Sequence, residues 1–168
     1  MKKTNNKGFT LVELIVVLVI LAILAAILVP ALLGYIDKAR EKQITTNAEA
    51  AYVAAQAIAT ECYGKKVNLP DNDGYKTQIK TLTDIEEDFT VAVYYKKSGD
   101  AGHDGYIISA FKYTAANGRE AVWLLKGGTV DGASVGAGGW SVIAEGKTAT
   151  ITAGNNGSAT VSVAAKTN

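Results

Sequence analysis

Several residue types are nearly missing from this 168-residue chain, and each scarcity excludes something. It has one cysteine, Cys62, so no disulfide can close within the chain. It has one histidine, His103, and no legible Ser-His-Asp order or phosphate-cradling Gly-x-x-x-x-Gly-Lys loop. Metal and nucleophile chemistry therefore have few residues to work with. His103 with Asp100 and Asp104 reads as a solvated hairpin tip rather than a metal site. Charge of either sign is not in excess, with seventeen Lys and Arg against sixteen Asp and Glu. A near-neutral chain does not bind polyanions through bulk charge. Lys96, Lys97 and Lys112 stand near aromatic residues, but without a basic excess they read as an ordinary sheet edge rather than a nucleic-acid contact.

Charge is also missing where it matters most. Residues 14–34 carry none, and almost all are apolar. A run of ~20 such residues spans a bilayer core as a helix. Before it stands Lys7-Gly8-Phe9-Thr10-Leu11-Val12-Glu13, and Glu13 is the only charge between Lys7 and Asp37. A carboxylate in a membrane segment costs a few kcal/mol unless it is partnered, which makes it a functional hypothesis by default. A cut after Gly8 would supply a partner, because Phe9 would then begin the chain with a positive amine. Opposite charges at ~4 Å in an effective dielectric of ~20 attract by about 4 kcal/mol. That offsets an insertion cost of ~2.5–3.5 kcal/mol. The amine of the same chain and that of a neighbour both remain open as the partner.

A cleavable secretory signal has a shorter apolar core, of ~7–15 residues, and a cut on its far side. Here the candidate cut lies on the near side, so cleavage keeps the anchor and removes only residues 1–8. That removal takes away Lys2, Lys3 and Lys7 and leaves fourteen basic against sixteen acidic side chains.

The Gly8-Phe9-Thr10-Leu11-x-Glu13 motif, the basic leader and the long apolar helix resemble the N-terminus of a type IV pilin precursor. Pro30 stands where such pilins often carry a proline. The resemblance covers roughly residues 1–63 and leans toward Gram-positive members, given the missing disulfide and Gly34-Tyr35-Ile36-Asp37-Lys38-Ala39-Arg40. It implies cleavage between Gly8 and Phe9 by a prepilin peptidase and N-methylation of Phe9. It also implies a role for Glu13 in assembly through a neighbouring subunit's amine, and a bend or local unwinding at Pro30. The implied partners are other copies of the chain, minor pilins, an assembly ATPase and a membrane platform protein. The implied course is from single-pass precursor in the cytoplasmic membrane to extracellular filament serving adhesion, motility or related functions. A pseudopilin of a type II secretion or competence system is the alternative. A tethered binding or enzyme domain is a third reading, and it leaves Glu13 unexplained. No cofactor is implied, and the chain reads as building block rather than catalyst.

The expected fold is α+β, a type IV pilin fold with a long helix packed on an antiparallel sheet. Its parts are a leader (1–8), an apolar half-helix (9–34), an amphipathic half-helix (35–63) and an outer β domain with its connecting loop (64–168). In the second half-helix, Ile44, Ala48, Ala51, Tyr52, Ala55, Ile58, Ala59 and Cys62 recur at spacings of three and four, the mark of one buried face. Gly64 is the expected stop, giving one helix over residues 9–63. Pro70-Asp71-Asn72-Asp73-Gly74 reads as a turn, followed by a short helical piece over 78–82. Calcium-loop spacing fails there, because Lys76 and Leu82 occupy the glycine and bidentate-acid positions. Strands are expected over 89–95, 106–113, 121–126, 140–144, 148–153 and 158–163, separated by a glycine-rich stretch over 127–139.

Overall fold

The computed structural model describes residues 8–95, 106–154 and 157–167. The chain divides into two compact units, residues 1–40 and 41–168. Helix α1 (Leu11–Lys65) contributes to both.

In the first unit α1 is bare. Every described side chain from residue 8 to residue 40 is exposed. Leu14 keeps 55% of its surface in solvent and Ile27 69%. A contiguous apolar surface of this kind calls for lipid or protein to cover it. The helix is long and apolar enough to cross a membrane. It runs through Pro30 without a break, although proline withholds the N–H that would bond the carbonyl of Ala26.

The second unit begins where burial begins. Ile44 is the first buried side chain of α1, followed by Ala48, Ala51, Ala54, Ala55, Ile58 and Ala59. Tyr52 and Cys62 are partly buried against the same core. Small residues on this face let the sheet approach closely, and the large side chains come from the strands. The helix ends two residues later than the glycine suggests. Lys66, at φ +54, takes the left-handed position after the last turn. Its N–H donates to the carbonyl of Tyr63 (3.1 Å), and that of Val67 to the carbonyl of Cys62 (3.1 Å). This is a Schellman closure, so Gly64 lies inside the last turn and not beyond it.

The presumed turn at Pro70 is the start of a second helix, α2 (Asn72–Leu82). Asp71 caps it, accepting the Gly74 N–H at 2.7 Å. The cap residue has extended backbone angles, as an N-cap requires. α2 therefore begins six residues before the expected piece, and Asn72-Asp73-Gly74 is its first turn. Tyr75 and Ile79, one turn apart, enter the core beside α1.

Among the described residues eight strands follow: β1 (Phe89–Tyr95), β2 (Ile108–Ala115), β3 (Glu120–Leu124), β4 (Gly128–Val130), β5 (Ala133–Val135), β6 (Gly139–Val142), β7 (Lys147–Ala153) and β8 (Ala159–Ala165). The main sheet has the order β1-β2-β3-β6 and is antiparallel throughout. β4–β5 and β7–β8 are separate two-stranded ribbons. The glycine-rich stretch over 127–139 thus hides a short hairpin, and strands 147–153 and 159–165 do not extend the main sheet.

Period-two alternation assigns the two faces of the main sheet. Phe89, Val91, Phe111, Tyr113, Ala121 and Trp123 meet α1 and α2. Ala110, Val122 and Leu124 point the other way and meet Val130, Val135, Ile143, Ala149 and Ile151. The second unit is therefore three layers: helices, main sheet, and the two ribbons. Tyr52 anchors the helix–sheet joint, its ring centroid 4.2 Å from that of Trp123 and 5.8 Å from that of Phe111.

Candidate assembly site and the comparisons

The N-terminus of α1 is built by two residues. Thr10 is the residue before the first helical position. Both its backbone N–H (2.8 Å) and its hydroxyl (2.7 Å) donate to Oε2 of Glu13. The Glu13 N–H donates back to Thr10 Oγ1 at 3.3 Å. This is a reciprocal capping box, which satisfies donors that a helix start leaves open. The carboxylate also lies at the positive end of the helix dipole. Thr-x-x-Glu ahead of an apolar run is the sequence signature of such a box, so Thr10 and Glu13 carry a capping signal as well as a charge.

The box changes the meaning of Glu13. It is not a bare charge waiting for an amine, because two donors from Thr10 already hold it. They hold it turned back toward the chain start, one residue from the Phe9 nitrogen that a cut after Gly8 would convert to an amine. Phe9 itself is 86% exposed, and among the described residues nothing lies within 4 Å of where a Cβ on Gly8 would stand. Pro30 lies four to five turns further along the same helix and makes no direct contribution to the cap.

Within the second unit, where α1 becomes buried, polar links fix the helix to the sheet and its flanking loop. Glu41 accepts from Arg119 Nη2 at 3.2 Å, and the Arg119 side chain is 13% exposed. Gln43 Nε2 donates to Glu87 at 3.1 Å. Arg119 ends the turn between β2 and β3, so one guanidinium joins the helix to the sheet.

Glu120, the next residue, is a buried carboxylate that the sequence pattern does not reveal. It accepts from Thr148 Oγ1 (2.8 Å) and from the Ala149 N–H (2.7 Å). Lys112 stands 3.6 Å from it and donates to the Ala149 carbonyl at 3.0 Å. These contacts clasp β7 to the main sheet. They also pair the half-buried Lys112 with Glu120. Lys96, Lys97, Asp100, His103 and Asp104 lie outside the described residues. Among the described residues no cluster of His, Cys, Asp and Glu could hold a metal.

Residues 3–29 match the family model described as the prokaryotic N-terminal methylation motif. No curated protein and no solved structure matches the chain. From Leu11 onward the motif lies on the exposed apolar half of α1, and together they support a type IV pilin precursor anchored in a membrane. The α+β fold, a long N-terminal helix packed on an antiparallel sheet, is consistent with that class.

Proposed function

We propose that this chain is the structural subunit of a type IV pilus. A prepilin peptidase cuts between Gly8 and Phe9, Phe9 is N-methylated, and an assembly ATPase with its membrane platform moves the helix from the cytoplasmic membrane into a fibre. Glu13 then meets the amine of Phe9, and Pro30 gives the helix a point at which to bend. The fibre acts outside the cell in adhesion, motility or related surface functions. The observation that carries this reading is the methylation motif over residues 3–29, whose part from Leu11 onward is a helical stretch with its apolar side chains exposed.

The amphipathic half of α1 and the β unit would form the outer part of each subunit. The chain is then substrate and building block, and the work of its residues is recognition and packing. The test is the N-terminal residue and mass of protein sheared from intact cells. N-methyl-Phe9 in a sedimentable fibre is expected. A chain that still starts at Met1 and stays in membranes would overturn the proposal.

A further inference from the structure

The second unit carries an open apolar groove of about 740 Å³. Ala50, Val53 and Ala57 line it from α1, and Leu82 and Ile85 from the end of α2 and the loop after it. Val53 and Leu82 keep 66% and 60% of their surface in solvent. Apolar surface gathered in this way marks an interaction site. The lining also holds two carboxylates, Glu49 and Asp84, and no basic side chain. Both are exposed, and neither makes a hydrogen bond or an ion pair among the described residues. Lys76 and Lys80 of α2 are held by Asp88. The groove therefore fits a partner that is apolar and basic.

The chain itself has a segment of that kind. Among the described residues, the ammonium groups that meet neither an acid nor a carbonyl are those of Lys38, Lys42, Lys66 and Lys126. Lys66 and Lys126 each stand alone. Lys38 and Lys42 stand one turn apart on α1, among the exposed Tyr35, Ile36 and Ala39. The acids of this stretch are already taken, Asp37 by Arg40 (3.7 Å) and Glu41 by Arg119 (3.2 Å). Residues 35–42 thus offer two free positive charges with apolar side chains between them.

We infer that the groove receives residues 35–42 of a second copy, with Lys38 and Lys42 against Glu49 and Asp84, and that this contact joins subunits along the fibre. Helix α1 runs unbroken from the segment to the groove, so a chain cannot fill its own groove and another copy must. Groove and segment are different surfaces. Each copy then uses one toward one neighbour and the other toward the next, and a head-to-tail contact that does not close into a ring propagates as an open filament. With the helices parallel, Lys38 opposite Glu49 shifts the copies by roughly eleven residues of α1, about 17 Å. A lone exposed ion pair contributes little. Apolar cover and repetition along the fibre make the contact effective, so the inference rests on the fibre reading above.

The test uses fibres sheared from cells that make the full chain. Glu49→Lys with Asp84→Lys places like charges across the contact and should lower the fibre yield at least tenfold. All four charged positions are exposed, so the amount of cleaved chain in the membrane should stay at the wild-type level. Adding Lys38→Glu and Lys42→Glu restores opposite charges and should return the yield to within a few-fold of wild type. Normal yield from the double lysine variant would overturn the inference. Failure of the fourfold variant to recover would assign the groove to another partner and overturn it too. A second measurement needs no variant. Carbodiimide coupling of a detergent-solubilised mixture of light and heavy-isotope full chains should give mixed-isotope peptides joining Lys38 or Lys42 to Glu49 or Asp84. Their absence rejects the contact. If the wild-type chain makes no fibres, the functional proposal fails separately and the coupling result alone decides the contact.

Discussion

The carboxylate of Glu120 accepts the backbone N–H of Ala149 at 2.7 Å, joining residues 29 apart in sequence. With Thr148 and Lys112 on the same group, this is the principal polar tie between the main sheet and the β7–β8 ribbon. Glu120→Ala would strand the Lys112 ammonium and the Ala149 N–H in a buried site. Removing one member of a buried pair costs about 3–5 kcal/mol. Denaturant unfolding of the purified chain should show a loss of that size, and Glu120→Leu with Lys112→Met should recover part of it. A loss below about 1 kcal/mol in the single variant would mean the clasp contributes little.

Glu13 has two separable roles, as cap and as charge. Glu13→Gln keeps an acceptor for Thr10, whereas Glu13→Ala removes it and costs the helix start about 1 kcal/mol. Both variants are expected to insert in the membrane and to be cleaved. If assembly needs the charge, neither makes fibres. Fibres from the Gln variant alone would show that capping is what assembly requires, and the pairing with the Phe9 amine would have to be abandoned.

The joint between α1 and the sheet turns on Tyr52 and Trp123. Trp123 is 5% exposed and lies against the Tyr52 ring. Trp123→Ala should destabilise the chain by about 3–5 kcal/mol. A double-mutant cycle with Tyr52→Ala should return a coupling of ~0.5–1.5 kcal/mol beyond burial. Additive effects would place the ring contact outside the energetics of the joint.

Asp88 lies within 2.9 Å of both Lys76 and Lys80. The hydrogen bonds and charges of the two ammonium groups hold its carboxyl down to about 2. Because the folded value is below the ordinary value of 3.8, the link stabilises above that value and its contribution is lost as pH falls toward 2. The carboxylate is exposed, so the effect is small. NMR titration should find Asp88 ionised at pH 3. Asp88→Asn should flatten the acid side of the stability curve, and an ordinary titration near 4 would remove the lysine pair from the account.

What the sequence made legible follows the strength of local patterning. The buried face of α1 repeats every three to four residues over five turns, and all but Ala54 of its buried residues stand in the expected register. β1 has the expected bounds, because aromatic and β-branched residues fill every position but Ala92 between turn signals. The N-terminal site was legible as a charge but not as a cap, since Thr10 attracts no notice beside an apolar run. The start of α2 is not legible locally because Pro70-Asp71-Asn72-Asp73-Gly74 satisfies both turn chemistry and helix-capping chemistry, and tertiary burial of Tyr75 favours the helix. Glu120 was invisible because its partners, Lys112, Thr148 and Ala149, are distant in sequence. Strands β4 and β5 were hidden among glycines whose positive φ angles shape the surrounding turns, as at Gly127 and Gly132.

The polar clasp at Glu120 has a consequence for where this chain can mature. It holds the C-terminal ribbon by hydrogen bonds and an ion pair, and the lone Cys62 takes no part in it. Folding of the β unit therefore requires no oxidant and no disulfide isomerase, and there is no slow reshuffling phase. A strong thiol reductant should leave its unfolding curve unchanged, so the chain can reach its final structure as readily in an anaerobic, reducing habitat as in air.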